Sequence, residues 1–303
     1  MIHGIINIYK EKGFTSHDVV AKLRGITGQR KIGHTGTLDP DATGVLPVCL
    51  GKATKLCNLL TDKDKTYETV LLLGKTTDTQ DVSGAVLEEQ TTDYLIEEAV
   101  QECIRGFIGS YDQLPPMYSA IKIGGKKLYE LAREGKEIER KARTVTIHDI
   151  QVREIDLPRV KMEVSCSKGT YIRTLCHDVG QRLGCGGCME ELIRTRVGRF
   201  TLNDSISLAE AEKLKVNGTL QEIIIPIDAM FETYQRIVLS GEAQRLAYNG
   251  NTFTIPGGSD HYDDDEYVRV YNSDGRFIAI YSYSDEKKNF QIVKMFCDSN
   301  EMT

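Results

Sequence analysis

The sequence predicts an α+β fold with a mainly antiparallel sheet. Patterns typical of strands and of helices alternate irregularly along the 303 residues, and turn residues typical of hairpins are frequent. The sequence contains no internal repeat and no low-complexity tract. A chain of this length can form one large domain and one small domain, each with its own hydrophobic core.

The first half of the chain contains two strand patterns and two helix patterns. Gly4–Tyr9 is an apolar strand, and Ser16 is the expected N-cap of a helix with an apolar face. Tyr67–Leu73 is a β-rich run that predicts a buried strand. Apolar residues recur at helical spacing over Asp93–Phe107, which predicts an amphipathic helix.

The second half continues with one strand, two helices and a β-rich end. Apolar and polar residues alternate over Val160–Cys166, as in a half-buried strand. Thr170–Leu183 is a predicted helix that ends at Gly184, and Ser207–Glu210 is a capping box that opens another helix. Three short β patterns then follow at Tyr267–Tyr271, Phe277–Tyr283 and Phe290–Phe296.

Composition excludes several classes of protein. No apolar run approaches the length needed to cross a bilayer, and the N-terminus lacks the features of a secretory signal. The eight cysteines are scattered, as expected of reduced thiols in the cytoplasm. Cys185 and Cys188 form a lone CxxC pair without two further ligands at zinc-site spacing, so we expect a structural loop there and no metal.

The net charge of −6 is unevenly distributed along the chain. Basic residues exceed acidic ones in segments 22–55, 119–144 and 165–200, whereas acidic residues exceed basic ones over 234–303. The three basic segments could converge on one face and contact phosphates, so a nucleic-acid partner is compatible with the acidic total. The alternative for each segment taken singly is ordinary solvated charge.

The segment Lys31–Gly51 predicts a constrained loop that presents one carboxylate. Its glycines allow tight backbone conformations, and Pro40 disfavours a helical conformation at Asp39. The apolar run that follows, from Val45 to Leu50, can anchor the loop in a core. The alternative is a simple Asp-Pro-Asp turn without a chemical role.

The two runs His34–Pro40 and Ala42–Pro47 resemble the active-site signature of the TruB family of bacterial tRNA pseudouridine synthases. The segment is no P-loop, because it lacks the Gly-Lys-Ser/Thr ending. The resemblance implies a pseudouridine-synthase fold and conversion of the T-loop uridine of tRNA to pseudouridine. Asp39 is then the essential carboxylate, and His34 occupies or steers the space from which the base is extruded. Because the isomerisation transfers no net electrons, no cofactor is expected.

Two further segments match residues that line the active site in this family. In Ser167–Leu175, the resemblance assigns Tyr171 to the uridine pocket and Arg173 to an ion pair with Asp39. An arginine beside the carboxylate would keep it ionised in a pocket that excludes water. In Lys65–Glu68, Tyr67 is the expected surface on which the uracil stacks and a candidate proton acceptor.

The remaining matches concern the pocket wall and the RNA backbone. In Leu192–Arg196, the resemblance places Leu192 on the uracil pocket, and Arg194 or Arg196 on backbone phosphates. Lys10 keeps the basic residue of a family Lys-Pro pair that here lacks its proline, and it is also expected to contact RNA. For these positions the alternatives are core packing and solvated charge.

The resemblance also implies how the chain is divided. Residues 1–233 form the catalytic domain, which includes an RNA-gripping insertion at about 118–143 with Lys126 and Lys127. An ordinary basic helix-loop-helix is the alternative for that insertion. Residues 234–303 form a small PUA-like β domain. We expect a monomer that acts on the T-arm of tRNA without a guide RNA. The alternative function is a T-arm-binding folding chaperone in which catalysis is dispensable.

Overall fold

The structure is a computed structural model that describes residues 1–255 and 261–297. Its strands are β1 (Gly4–Lys10), β2 (Ile32–His34), β3 (Thr43–Leu50), β4 (Lys65–Leu73), β5 (Lys75–Thr77), β6 (Val86–Glu89), β7 (Gly109–Gln113), β8 (Lys122–Ile123), β9 (Lys126–Lys127), β10 (Arg143–Asp156), β11 (Arg159–Cys166), β12 (Gly187–Val197), β13 (Phe200–Thr201), β14 (Gln235–Val238), β15 (Tyr267–Tyr271), β16 (Phe277–Ser284) and β17 (Asn289–Met295). Its helices are α1 (Ser16–Thr27), α2 (Cys57–Thr61), α3 (Glu97–Arg105), α4 (Leu128–Arg133), α5 (Ile172–Leu183), α6 (Leu208–Val216) and α7 (Gly241–Tyr248).

A nine-stranded sheet forms the body of the molecule. Its strand order is β1-β3-β12-β4-β11-β10-β7, with β2 added to β3 and β13 added to β12. Every pairing in this sheet is antiparallel except that of β3 with β12. The predicted α+β fold with a mainly antiparallel, mixed sheet is therefore confirmed.

The strand β3 is apolar from Val45 to Leu50, where both of its faces are covered. Leu46, Val48 and Leu50 pack with α1 and α6 on one face. Val45 and Cys49 point to the opposite face and pack beneath the C-terminal part of the chain. This double burial makes β3 a rigid support for the loop that precedes it.

The central strands are covered by the helices α3 and α5. Val100 and Ile104 of α3 and Leu175 and Val179 of α5 pack in one core with the buried residues of β4, β10 and β11. Helix α5 ends at Leu183, and its C-cap, Gly184, adopts the left-handed conformation that the backbone freedom of glycine allows. Among the described residues, none of the helices combines the length and apolar character that a membrane crossing requires.

A four-stranded sheet with the order β14-β15-β16-β17 follows near the C-terminus, so the expected C-terminal β domain is present. It has a core of its own, built around Val268, Tyr281 and Phe290. A second apolar cluster, which includes Phe296, joins this sheet to the large one. The Lys55 ammonium also donates a hydrogen bond to the carbonyl of Met295 at 2.7 Å.

Two local predictions were wrong. The N-cap of α1 is Thr15, which shares a capping box with Asp18, whereas Ser16 is buried inside the first turn. Helix α3 begins at Glu97 instead of Asp93 and ends at Arg105. The segment 118–143 holds the β8–β9 hairpin followed by α4, which contradicts the alternative of a helix-loop-helix for the insertion.

Candidate active site

The loop between β2 and β3 carries Asp39. Hydrogen bonds to two neighbouring residues hold the backbone of this loop in place. The Gly13 N–H donates to the Pro40 carbonyl at 2.9 Å. The Leu38 N–H donates to the Ser16 hydroxyl at 2.9 Å, which ties the loop to the first turn of α1. The loop is thus a fixed support for its carboxylate, as the sequence predicted.

Arg194 lies under the same loop. The strand β12 runs parallel to β3 here, with Arg194 in register with Gly44. Gly44 has φ +108°, and a Cβ at this position would overlap the Arg194 backbone, so only glycine fits. The Arg194 guanidinium donates to the carbonyls of Val45 at 2.8 Å, Thr37 at 3.4 Å and Gly36 at 3.4 Å.

The structure contradicts the expected phosphate contacts of Arg194 and Lys10. Arg194 is 1% exposed and Lys10 is 0% exposed, so neither side chain reaches the surface. The Lys10 ammonium donates to the carbonyls of Phe14 at 2.6 Å and Pro40 at 3.1 Å. Burial lowers the pKa of Lys10 to about 8. Both cations donate to backbone carbonyls in and around the Asp39 loop, which would otherwise be buried without donors.

Asp39 and Arg173 form the expected ion pair. Arg173 Nε lies 3.0 Å from Asp39 Oδ2, and Arg173 Nη2 donates to Asp39 Oδ1 at 3.3 Å. This is the two-pronged geometry that a guanidinium and a carboxylate favour. The Arg173 side chain is 7% exposed, whereas that of Asp39 is 39% exposed. The carboxylate is therefore held from one side and accessible from the other.

The Arg173 guanidinium is also held by groups that the sequence analysis missed. Its Nη1 donates to the Thr79 carbonyl at 3.1 Å and lies 3.6 Å from Asp81 Oδ2, and its Nη2 donates to the Tyr118 carbonyl at 2.9 Å. Asp81 lies in the turn between β5 and β6. The residues of this turn are those of an ordinary polar turn. No local signal in the sequence could have identified Asp81 as a partner of Arg173.

Opposing effects act on the pKa of the Asp39 carboxyl. Burial raises its pKa above the ordinary value, and the nearby Arg173 guanidinium lowers it. The Asp81 carboxylate raises it again. The net direction is upward, so the arginine reduces the effect of burial on the pKa without cancelling it.

Tyr67 lies on the strand β4, beside the Asp39–Arg173 pair. It is in register with Arg194 of β12 on one side and with Val164 of β11 on the other. Burial raises the pKa of Tyr67 to about 12, and the Arg194 guanidinium opposes the rise. The phenol is therefore neutral near pH 7, which suits a stacking surface and a hydrogen-bonding group.

His34 stands at the end of β2 against His17 of α1. The two rings meet edge to face with centroids 5.3 Å apart. The Gly36 N–H donates to His34 Nδ1 at 3.3 Å, so the neutral ring carries its hydrogen on Nε2. Burial lowers the pKa of His34, and His17 lowers it further. The loop backbone thus fixes the orientation of the imidazole.

Tyr171 is held by Gln113, which the sequence analysis also missed. The Tyr171 N–H donates to Gln113 Oε1 at 2.7 Å, and Gln113 Nε2 donates to the Tyr171 carbonyl at 2.9 Å. Leu192 is half-buried on β12 and packs against the core cluster that contains Tyr67. Arg196 is exposed and donates from Nε to the Thr66 hydroxyl at 3.2 Å.

The two lysines of the insertion lie at its β8–β9 hairpin. Lys126 is 57% exposed and pairs with Glu134 at 3.0 Å. Lys127 donates to the Tyr129 hydroxyl at 3.1 Å. The turn between the strands is formed by Gly124 and Gly125, both with positive φ. Of the basic residues expected to contact RNA, Lys126, Lys127 and Arg196 have accessible positions.

Comparison with known proteins identifies the family of this chain. Residues 24–172 match the model of the TruB family pseudouridylate synthase N-terminal domain, and residues 173–232 match the tRNA pseudouridylate synthase B C-terminal domain. The tRNA pseudouridine synthase B of Lachnoclostridium phytofermentans is 54% identical and covers 97% of this chain and 100% of its own. The tRNA pseudouridine synthase B of Clostridium tetani is 44% identical, and the match covers 97% of this chain and 99% of that protein. The chain belongs to the TruB family.

This TruB family member is therefore an enzyme, a pseudouridylate synthase, and thus an isomerase. Solved structures share its fold. One is a Cbf5-Nop10-Gar1 complex, whose matching chain is 27% identical with a TM-score of 0.72, over 98% of this chain and 86% of that one. Another is an H/ACA RNP bound to a substrate RNA containing 2′-deoxyuridine, 25% identical with a TM-score of 0.71 and the same coverage.

Proposed function

We propose that this enzyme isomerises the T-loop uridine of tRNA, at position 55, to pseudouridine. The observation that carries the proposal is the Asp39–Arg173 pair, in which an accessible carboxylate is held at 3.0 Å by a buried guanidinium. Its relatives, named tRNA pseudouridine synthase B, support tRNA as the substrate. The target base is stacked in the T-loop, so it must be everted before it reaches Asp39.

The reaction breaks the N1–C1′ bond, rotates the free uracil and joins C5 to C1′. Asp39 has three candidate roles in it. The carboxylate attacks C1′ as in a retaining glycosidase, assists an elimination through a glycal, or attacks C6 of the uracil. In each route, the role of Arg173 is to orient the carboxylate. Tyr67, Tyr171 and Leu192 form the proposed base pocket, and His34 steers the space that the base leaves.

The domain roles follow the same proposal. Residues 1–233 carry catalysis, the insertion at about 118–143 grips the T-arm, and residues 234–303 form an accessory β domain. We propose that the enzyme acts as a monomer and without a guide RNA. A cytoplasmic location stays a prediction.

An unmodified T-arm stem-loop tests this function directly. The purified enzyme should convert the target uridine to pseudouridine, detected by chemical derivatisation, without any added cofactor. A matched stem-loop with cytidine at the target position and uridine at the next loop position should give no product. Conversion of the displaced uridine, or of neither RNA, would contradict the proposed substrate.

Removal of the insertion's exposed charges should weaken RNA binding. We expect the double variant Lys126→Gln/Lys127→Gln to lower the slope of log affinity against log salt by about 0.7 for each phosphate that the variant no longer neutralises. Because Lys126 already pairs with Glu134, we expect a change in slope nearer that of one phosphate than of two. Fluorescence anisotropy over a salt series measures this.

The matched control is Lys213→Gln/Lys215→Gln, two exposed lysines of α6. An equal change in both double variants would argue against a gripping role for the hairpin. The same lysine variants test the chaperone alternative in cells. If the hairpin variant impairs tRNA function and Asp39→Asn does not, binding and not catalysis is the essential activity.

The pH dependence of turnover should report the groups around Asp39. An ionised carboxylate is required in the nucleophilic routes, so activity is lost as pH falls through the Asp39 pKa. Asp81→Asn removes a charge that raises this pKa, and we expect it to move the acid limb to lower pH. Arg173→Gln should move the acid limb to higher pH, because the opposing guanidinium is gone.

Single-turnover rates across a pH series measure these shifts. Arg159→Gln is the control, because Arg159 pairs with Glu190 on the exposed surface at 2.7 Å. Shifts of the Asp81 and Arg173 variants in the same direction would show that the electrostatic account of the pair is wrong.

A further inference from the structure

The insertion contributes a buried hydroxyl to the active site at Ser119. The preceding carbonyl, that of Tyr118, accepts a hydrogen bond from Arg173, so this segment lies next to the Asp39 pair. Ser119 is 5% exposed, and its Oγ has no hydrogen-bond partner among the described residues. Buried hydroxyls are normally paired, so an unpaired one next to a substrate pocket is a candidate ligand-binding group.

The Tyr171 phenol is the neighbour of Ser119. Burial raises the pKa of Tyr171, and the Ser119 hydroxyl, which lies against the phenol without the geometry of a full hydrogen bond, is the strongest of the groups that lower it. Arg143 and Arg173 act in the same direction, whereas Asp39 acts against them. Gln113 holds the Tyr171 backbone at both its N–H and its carbonyl, so the sheet fixes the point from which the phenol projects.

Arg143 supplies a positive charge on the same side of the sheet as Gln113, which holds Tyr171. It is in register with Gln113 in the antiparallel pair of β10 and β7. Directly opposed residues project from the same face of a sheet, so Arg143 shares the face on which Gln113 holds Tyr171. Arg143 is exposed, and no carboxylate pairs with it within residues 1–255 and 261–297.

We propose that Ser119, Tyr171 and Arg143 bind a backbone phosphate that flanks the uridine delivered to Asp39. Two hydroxyl donors and an unpaired guanidinium suit an oxyanion, and the nearby Asp39 carboxylate is already paired with Arg173. A phosphate held here fixes the ribose relative to the carboxylate without reading the base. The site also links the root of the insertion to catalysis. This inference rests on the proposed function.

The test uses T-arm stem-loops with one methylphosphonate, placed either 5′ or 3′ of the target uridine. We expect Ser119→Ala and Arg143→Gln each to slow single-turnover conversion of the unsubstituted RNA by roughly 10-fold, with Arg143→Lys intermediate. One of the two methylphosphonates should slow the wild-type enzyme by a similar factor. In the Arg143→Gln variant, that same methylphosphonate should cause no further decrease in rate.

The control variant is Arg153→Gln, an exposed residue of the same strand that pairs with Glu163 at 3.4 Å. It should match the wild type on every RNA. Two results would overturn the phosphate assignment. In the first, the effects of Arg143→Gln and of each methylphosphonate on the rate multiply. In the second, neither methylphosphonate slows the wild type.

Different results would reject the proposed function and the proposed phosphate site. If the wild type leaves the unsubstituted stem-loop unmodified, the substrate assignment fails. The site is then tested by the Kd values of the same RNAs. A decrease in affinity from one methylphosphonate in the wild type, absent in Arg143→Gln, supports the site, and equal decreases in both proteins reject it.

Discussion

Replacement of Asp39 by asparagine should abolish pseudouridine formation, with a rate loss of at least about 10⁴-fold, as when an essential member of a catalytic unit is removed. Asparagine keeps the size of the side chain and one carbonyl oxygen for Arg173, but it can neither attack a carbon nor take a proton. RNA binding should change little, because the loop is held by its backbone and by Ser16. Single-turnover conversion and equilibrium binding to the T-arm stem-loop measure the two effects separately.

Asp41→Asn is the matched control for this prediction. Asp41 lies two residues further along the same loop and is exposed. The same chemical change there should leave turnover within about threefold of the wild type. Retained turnover in Asp39→Asn would show that another group performs the chemistry, whatever the geometry of the Asp39–Arg173 pair.

Replacement of Arg194 by methionine should destabilise the loop and the sheet beneath it. The carbonyls of Gly36, Thr37 and Val45 would lose their guanidinium donor inside the protein. Loss of these hydrogen bonds, offset in part by removal of a buried charge, should cost about 2–4 kcal/mol. The melting temperature should fall by about 3–6 °C, as expected for a chain of 303 residues. Turnover should fall as well, because Asp39 is carried on that loop.

Arg196→Met separates this structural role from phosphate binding. Arg196 lies two residues further along β12 and is exposed, so its replacement should change the melting temperature little. It should instead lower the salt dependence of RNA binding by about one phosphate contact. Thermal melting and anisotropy on both variants distinguish the roles. An unchanged melting temperature in Arg194→Met would contradict the role that its buried position indicates.

The sequence supported strong predictions where residue type and short spacing are both required by the chemistry. Asp39 was identifiable because glycines and Pro40 constrain the loop around it. The strands and the later helices were predictable from apolar spacing, which burial imposes on each element separately. The start of α3 was misplaced because apolar residues before Glu97 also fit a helical period.

The interpretation of isolated cations was less successful. A peptide carbonyl and a phosphate oxygen accept the same hydrogen bond, so a basic residue in a sequence does not indicate which of them it meets. Arg194 and Lys10 meet carbonyls of their own chain, whereas Arg196 stays exposed. Burial decides between the two cases, and burial depends on segments that are far apart in sequence.

The amino-acid order therefore predicted the α+β class and the constrained Asp39 loop from local patterns. The arginine that pairs with the carboxylate was predicted only through the resemblance to the TruB family. Only the three-dimensional fold placed Arg194 and Lys10 in support of that loop and brought Asp81, Gln113 and Ser119 to the candidate active site. These contacts join distant segments through hydrogen bonds that leave no periodic trace in the sequence, and only the packed sheet brings their atoms within reach.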